Sequence, residues 1–107
     1  MISGIGIDIE SIKNFKKSYK DKHFLDLIFT KEEIRYCQSK KEPYISFAGK
    51  FCAKEAVIKA LRKTMSLPDI EVQLDKNGAP SIANMPNIHI SLSHADAYAI
   101  AFVVVEK

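Results

Sequence analysis

The sequence predicts an α+β fold in which a long central helix packs on an antiparallel sheet. Three observations carry this. The chain opens on a strand pattern, with Ile5, Ile7 and Ile9 alternating against Gly4, Gly6 and Asp8; its middle is rich in helix formers; its last third returns to alternation, with turn residues between the runs. Strands gathered at the two ends around a helical middle separate helices from sheet, unlike the regular alternation of βαβ units. With 107 residues, 47% hydrophobic and 27% charged, the chain is expected to form a single domain over 1–107, burying about two thirds of its unfolded surface.

The first strand is expected over residues 2–9. Glycines weaken a strand and mark the close approach of something else. Asp8 shares their face, which reads as the open one, opposite the isoleucines. No third glycine follows to make a dinucleotide fingerprint, since position 9 is isoleucine. Ile12, Phe15 and Tyr19 then have the spacing of a short amphipathic helix with lysines outward, and residues 24–29 suggest another helical turn. Thr30 followed by Glu33 is a capping box, which starts a helix reaching to about Gln38. A polar loop follows, and Pro43 suits the first turn of the next helix.

That next helix is the longest, with residues 47–61 reading FAGKFCAKEAVIKAL. Phe47, Phe51, Ile58 and Leu61 make a wide apolar sector, and Ala53, Ala56 and Ala60 are small positions opposite. Such a helix belongs in a core. It nevertheless carries Lys50, Lys54, Glu55 and Lys59, and buried charges need partners or a ligand. Beyond it, residues 69–74 read as a strand, Asp75 to Gly78 as a turn, and residues 80–83 as the return of a hairpin. Ile88, Ile90 and Leu92 alternate in a further strand. Residues 98–105 are apolar on both faces, which places the last strand centrally or at an interface.

Composition narrows the function classes. A net charge of +3 is too small and too little interleaved with aromatics to indicate nucleic acid. Lys13, Lys16, Lys17, Lys20 and Lys22 nevertheless crowd one segment, where an acidic partner would be steered. Cys37 and Cys52 lack zinc-ligand spacing and read as buried free thiols. The amino terminus lacks the pattern of a secretory signal, and no apolar run approaches the roughly 20 residues of a membrane span. A cytoplasmic location without membrane attachment is expected.

Glu55, Lys59 and Arg62 share one stripe of the long helix. On spacing alone, Glu55 and Lys59 make an exposed ion pair worth ~0.2–0.5 kcal/mol. The alternative brings Asp8 to the same stripe. Two carboxylates ~5 Å apart repel by about 3 kcal/mol at an effective dielectric of 20, so they call for a cation or a shared proton. Hard oxygen donors with few protein ligands suit Mg2+, whose remaining ligands are water and phosphate oxygens. Lys59 and Arg62 would add positive charge for the same phosphates. Ser91, Ser93 and His94 do not make a hydrolase triad, because neighbours on a strand face opposite ways and no G-x-S-x-G elbow is present.

Three segments together, GIGIDIE from position 4, FAGKFCAKEAVIKAL from position 47 and ISLSHADAYAIAFVVVE from position 90, resemble the holo-[acyl-carrier-protein] synthase family of 4′-phosphopantetheinyl transferases. IFTKEEIRYC and DIEVQLDKNGAPSI extend the resemblance over most of the chain. It implies the fold of that family and transfer of 4′-phosphopantetheine from coenzyme A to a serine of apo acyl carrier protein, in fatty acid biosynthesis. It also implies that Asp8 and Glu55 bind Mg2+, that Lys59 contacts the pyrophosphate, and that His94 lies at the coenzyme site, with Asp8, Glu55 and Lys59 as the catalytic set. Glu55 or a metal-bound water would take the serine proton. The implied assembly is a homotrimer with sites between protomers. Family arginines are replaced here by Asn14 and Leu27, and the glycines that usually end the long helix by Arg62, Lys63 and Thr64. Arg62 would then meet phosphate through charge. A reading from another class is a noncatalytic module that holds an acidic, carrier-like protein.

Overall fold

The computed structural model describes all 107 residues. Its elements run β1 (Ile2–Ser11), α1 (Ile12–Ser18), α2 (Lys22–Ile28), α3 (Lys31–Gln38), α4 (Pro43–Leu61), a 3-10 turn (Leu67–Asp69), β2 (Val72–Leu74), β3 (Pro80–Ile82), β4 (Ile88–His94) and β5 (Tyr98–Glu106). β1, β5 and β4 form one antiparallel sheet in that order, and β2 pairs with β3 in a separate ribbon. The architecture is α+β, with β5 central between β1 and β4. The expected strand over 69–74 is shorter. Pro68 lies in the first turn of the 3-10 segment, and pairing with β3 begins only at Val72.

α4 lies across the sheet on its small residues. Ala53, Ala56 and Ala60 are buried with Val57, whereas Phe51, Ile58 and Leu61 are only partly so. The reason is on β1. A Cβ at Gly6 would stand 2.1 Å from the carbonyl oxygen of Ala56, and one at Gly4 would stand 2.1 Å from that of Ala60. Strand and helix backbones therefore touch, which only glycine on the strand allows. Two strand residues advance about 6.8 Å and four helix residues about 6.0 Å, so the two elements stay in step and bring position 8 over position 52.

This packing reverses the expected faces of β1. Gly4, Gly6 and Asp8 point inward, while Ile5, Ile7 and Ile9 are each more than half exposed, at 57–62%. Ile100 and Phe102 of β5 continue the same exposed apolar face. The other face of β5, Ala99, Ala101, Val103 and Val105, is buried.

The helical corner is held by a buried ion pair. Thr30 and Glu33 form the capping box of α3, with Glu33 Oε1 accepting from the Thr30 amide at 2.9 Å. The same oxygen accepts from Lys54 Nζ at 2.6 Å, and Oε2 accepts from the Val72 amide at 2.8 Å. Lys54 spends its other two protons on the Leu67 and Ile70 carbonyls. Lys50 donates to the Val72 carbonyl and lies over the Tyr36 ring, 4.5 Å from its centroid. Burial lowers the pKa of both lysines. Both free cysteines are buried.

Candidate active site

The register of β1 against α4 sets the site. Because Gly6 seats the strand on the helix, Asp8 follows on the same inward face and is 9% exposed. The Cys52 thiol donates to the Asp8 carbonyl at 3.0 Å, fixing the backbone from which the carboxylate projects. Lys59, on the same side of α4, donates to Asp8 Oδ1 at 3.0 Å and to the Ile7 carbonyl at 3.0 Å. This hydrogen bond to Asp8 raises the Lys59 pKa, assisted by the charges of Asp8, Glu55 and Glu10. Asp8 Oδ2 is buried with no hydrogen-bond partner.

Glu55 is half-buried and close enough for its charge to act on both Lys59 and Glu10. The surface ion pair between Glu55 and Lys59 is not what forms, since Lys59 turns to the strand instead. Glu10 is the residue that the sequence reading left out. It lies two positions beyond Asp8 on the same inward face, within hydrogen-bonding reach of the Asp8 carboxyl. Burial, that contact, and the charges of Asp8 and Glu55 push its pKa up to about 8. The alternation Gly4, Gly6, Asp8, Glu10 carries the signal, but the strand expected over residues 2–9 stops one residue short of Glu10, whereas β1 runs to Ser11.

Two carboxylates, Asp8 and Glu55, and the Glu10 carboxyl, which its raised pKa keeps largely protonated at neutral pH, thus face one ammonium, and Asp8 Oδ2 is buried with no hydrogen-bond partner. These are hard donors for a divalent cation, and the orphaned Asp8 Oδ2 is the atom that a cation would satisfy. No three acidic, histidine or cysteine side chains form a closed metal cage. The donor set therefore fits a small cation held by two carboxylates, with its remaining positions left to water and phosphate.

The other expected site residues lie further out. Ala99 pairs with Glu10 on one side and with His94 on the other, so Glu10 and His94 share one row of the sheet two strands apart. His94 is exposed and borders a hollow lined also by Ser46, Gly49, Lys50, Ser93 and Leu92. Arg62 ends α4 in the left-handed conformation, φ 58°, and its side chain is exposed. The arrangement has an acidic end, a flanking ammonium, and His94 two strands away on the same row of the sheet.

Comparison with known proteins places the chain in a family. The sequence profile of the 4′-phosphopantetheinyl transferase superfamily matches residues 4–103. The holo-[acyl-carrier-protein] synthase of Thermodesulfovibrio yellowstonii is 42% identical, covering 98% of this chain and 99% of its own. That of Caldicellulosiruptor saccharolyticus is 37% identical, covering 100% of this chain and 98% of its own. Among solved structures, the Bacillus anthracis holo-(acyl-carrier-protein) synthase in complex with CoA (3′,5′-ADP) superposes with a TM-score of 0.88 at 34% identity, over 98% of this chain and 96% of that one. The Neisseria meningitidis enzyme superposes with a TM-score of 0.89 at 30% identity over the full length of both chains. Sequence, fold and length agree, and the chain belongs to the holo-[acyl-carrier-protein] synthases of the 4′-phosphopantetheinyl transferase superfamily.

Proposed function

We propose that the chain transfers 4′-phosphopantetheine from coenzyme A to a serine of apo acyl carrier protein, as a Mg2+-dependent enzyme of fatty acid biosynthesis in the cytoplasm. The observation that carries the cation requirement is the buried, donorless Asp8 Oδ2 beside Glu10 and Glu55. Asp8 and Glu55 would hold the Mg2+. When bound, the ion neutralises the non-bridging oxygens of the pyrophosphate.

The serine oxygen forms a bond to the phosphorus nearer the pantetheine, and the bond from that phosphorus to the bridging oxygen breaks. Adenosine 3′,5′-bisphosphate leaves with the electron pair. This chain's part is positioning and charge. Lys59, on a flexible stem reaching from solvent, contacts the pyrophosphate. Arg62, one turn further along the helix, adds charge for the coenzyme phosphates, and His94 binds the coenzyme at the far end of the sheet row. The serine proton passes to the carboxylate cluster, where Glu55 is the proposed acceptor. The exposed lysines of α1, Lys13, Lys16 and Lys17, steer the acidic carrier protein.

The uncovered face of Ile5, Ile7, Ile9, Ile100 and Phe102 supports association with further copies of the chain as a homotrimer. A noncatalytic carrier-binding module would have no use for a buried carboxylate oxygen without a donor. Glu55→Gln tests the reading: turnover is expected to vanish while the circular dichroism spectrum stays unchanged. Full turnover by that variant would remove Glu55 from the site.

A further inference from the structure

The acidic end of the site already contains a cation, the Lys59 ammonium. Nζ bridges Asp8 Oδ1 and the Ile7 carbonyl, both at 3.0 Å. Its charge acts on Glu55 and Glu10 as well as on Asp8. The Lys59 side chain is 54% exposed while that of Asp8 is 10% exposed, so a mobile four-carbon stem delivers its charge from solvent into a nearly buried nest. Lys59 reaches only one oxygen of Asp8, Oδ1, and Asp8 Oδ2 is left without a partner. Lys59 therefore occupies the nest without filling it.

We propose that Lys59 is a resident counter-ion that competes with the divalent cation for Asp8, and that the pyrophosphate of coenzyme A draws it off. The inference rests on the cation and coenzyme reading above. An ammonium and a divalent cation on one carboxylate repel each other strongly even at the dielectric of water. Phosphate oxygens offer the ammonium new acceptors at the moment when the cation needs Asp8 to itself. Coenzyme therefore raises cation affinity by moving Lys59, in addition to supplying ligands, and by linkage the cation raises coenzyme affinity by the same factor.

The test is direct binding of Mn2+, used as a paramagnetic substitute for Mg2+ and followed by the electron paramagnetic resonance of the free ion, with and without coenzyme A. Lys59→Gln and Lys59→Met are expected to bind Mn2+ roughly tenfold more tightly than wild type when coenzyme is absent. In both, the coenzyme-induced gain in Mn2+ affinity shrinks by a similar factor. Lys63→Gln removes a nearby exposed charge that touches none of the carboxylates, and it calibrates the through-space effect of losing one positive charge. Mn2+ affinity in the Lys59 variants that is no higher than in Lys63→Gln overturns the proposal. Asp8→Asn separates the two levels of the argument. Unchanged Mn2+ binding in that variant removes the cation from this site altogether. Lost binding there, with no tightening in the Lys59 variants, refutes only the counter-ion.

Discussion

Gly6→Ala is the substitution that most sharply tests how the site is built. The added Cβ would stand 2.1 Å from the Ala56 carbonyl oxygen and 2.8 Å from the Ala60 amide nitrogen, where ordinary contact starts at 3.4 Å. Both obstacles are backbone of α4, so no side chain can rotate aside. The strand must retreat by more than an ångström, pulling Asp8 off the Cys52 thiol and away from Lys59. Overpacking of this kind costs ~1–3 kcal/mol, and rigid backbone on both sides places it at the upper end. At roughly 4–8 °C per kcal/mol for a domain near this size, the Tm is expected to fall by about 12–24 °C. Turnover should also fall well below the temperature at which the variant unfolds, because Asp8 is displaced in the folded state. Gly49→Ala is the control: a Cβ there meets nothing within 4 Å, and replacing a mid-helix glycine is expected to raise stability by about 0.5–1 kcal/mol. A Tm within about 3 °C of wild type for Gly6→Ala would refute the close strand–helix contact.

Three further outcomes follow from the packing and the caps. Lys54→Met leaves Glu33 as an uncompensated buried charge and should cost about 3–5 kcal/mol in urea unfolding; Glu33→Gln combined with Lys54→Met should recover a large part of that loss, and equal losses would argue against direct pairing. Arg62→Gly relieves a left-handed backbone at the helix end, so the Tm should rise by a few degrees while coenzyme affinity falls; unaltered coenzyme affinity would exclude Arg62 from binding it. Burial pushes the Cys37 and Cys52 thiols up to about 12 from an ordinary 9.0, so their contribution to stability is complete below pH 9 and is lost as the pH rises from there toward 12. A disulfide reagent at mildly alkaline pH should accordingly label the folded protein only at its unfolding rate, and rapid labelling would contradict the burial.

Local chemistry made much of the fold legible. Thr30 and Glu33 mark the start of α3 through a capping box, Pro43 marks that of α4, alternation places β4, and a continuous apolar run places β5. What local pattern did not reveal was which face of β1 turns inward. Isoleucines ordinarily face a core, but the depth of this core is set by Gly4 and Gly6 against Ala60 and Ala56, a nonlocal fit between two backbones. The same fit explains why Phe51 and Leu61 are less buried than the alanines of α4. The partners of Lys54 and Lys50 were not readable either, because Glu33, Ile70 and Val72 reach them only after the helical corner and the ribbon have docked. Asp8, Glu55 and Lys59 are each nameable from sequence. Glu10 is not, since its role depends on β1 continuing two residues past Ile9, where the strand is expected to end.

The central claim is that this chain moves phosphopantetheine from coenzyme A onto an acyl carrier protein. Incubating the purified chain with apo acyl carrier protein, coenzyme A and Mg2+, then measuring the mass of the intact carrier, tests it most directly. The account predicts that the carrier gains one phosphopantetheine on its serine, that chelating the metal stops the gain, and that adenosine 3′,5′-bisphosphate appears in equal amount. Carriers from several bacteria that all keep their original mass, with the chain folded and Mg2+ present, would contradict it.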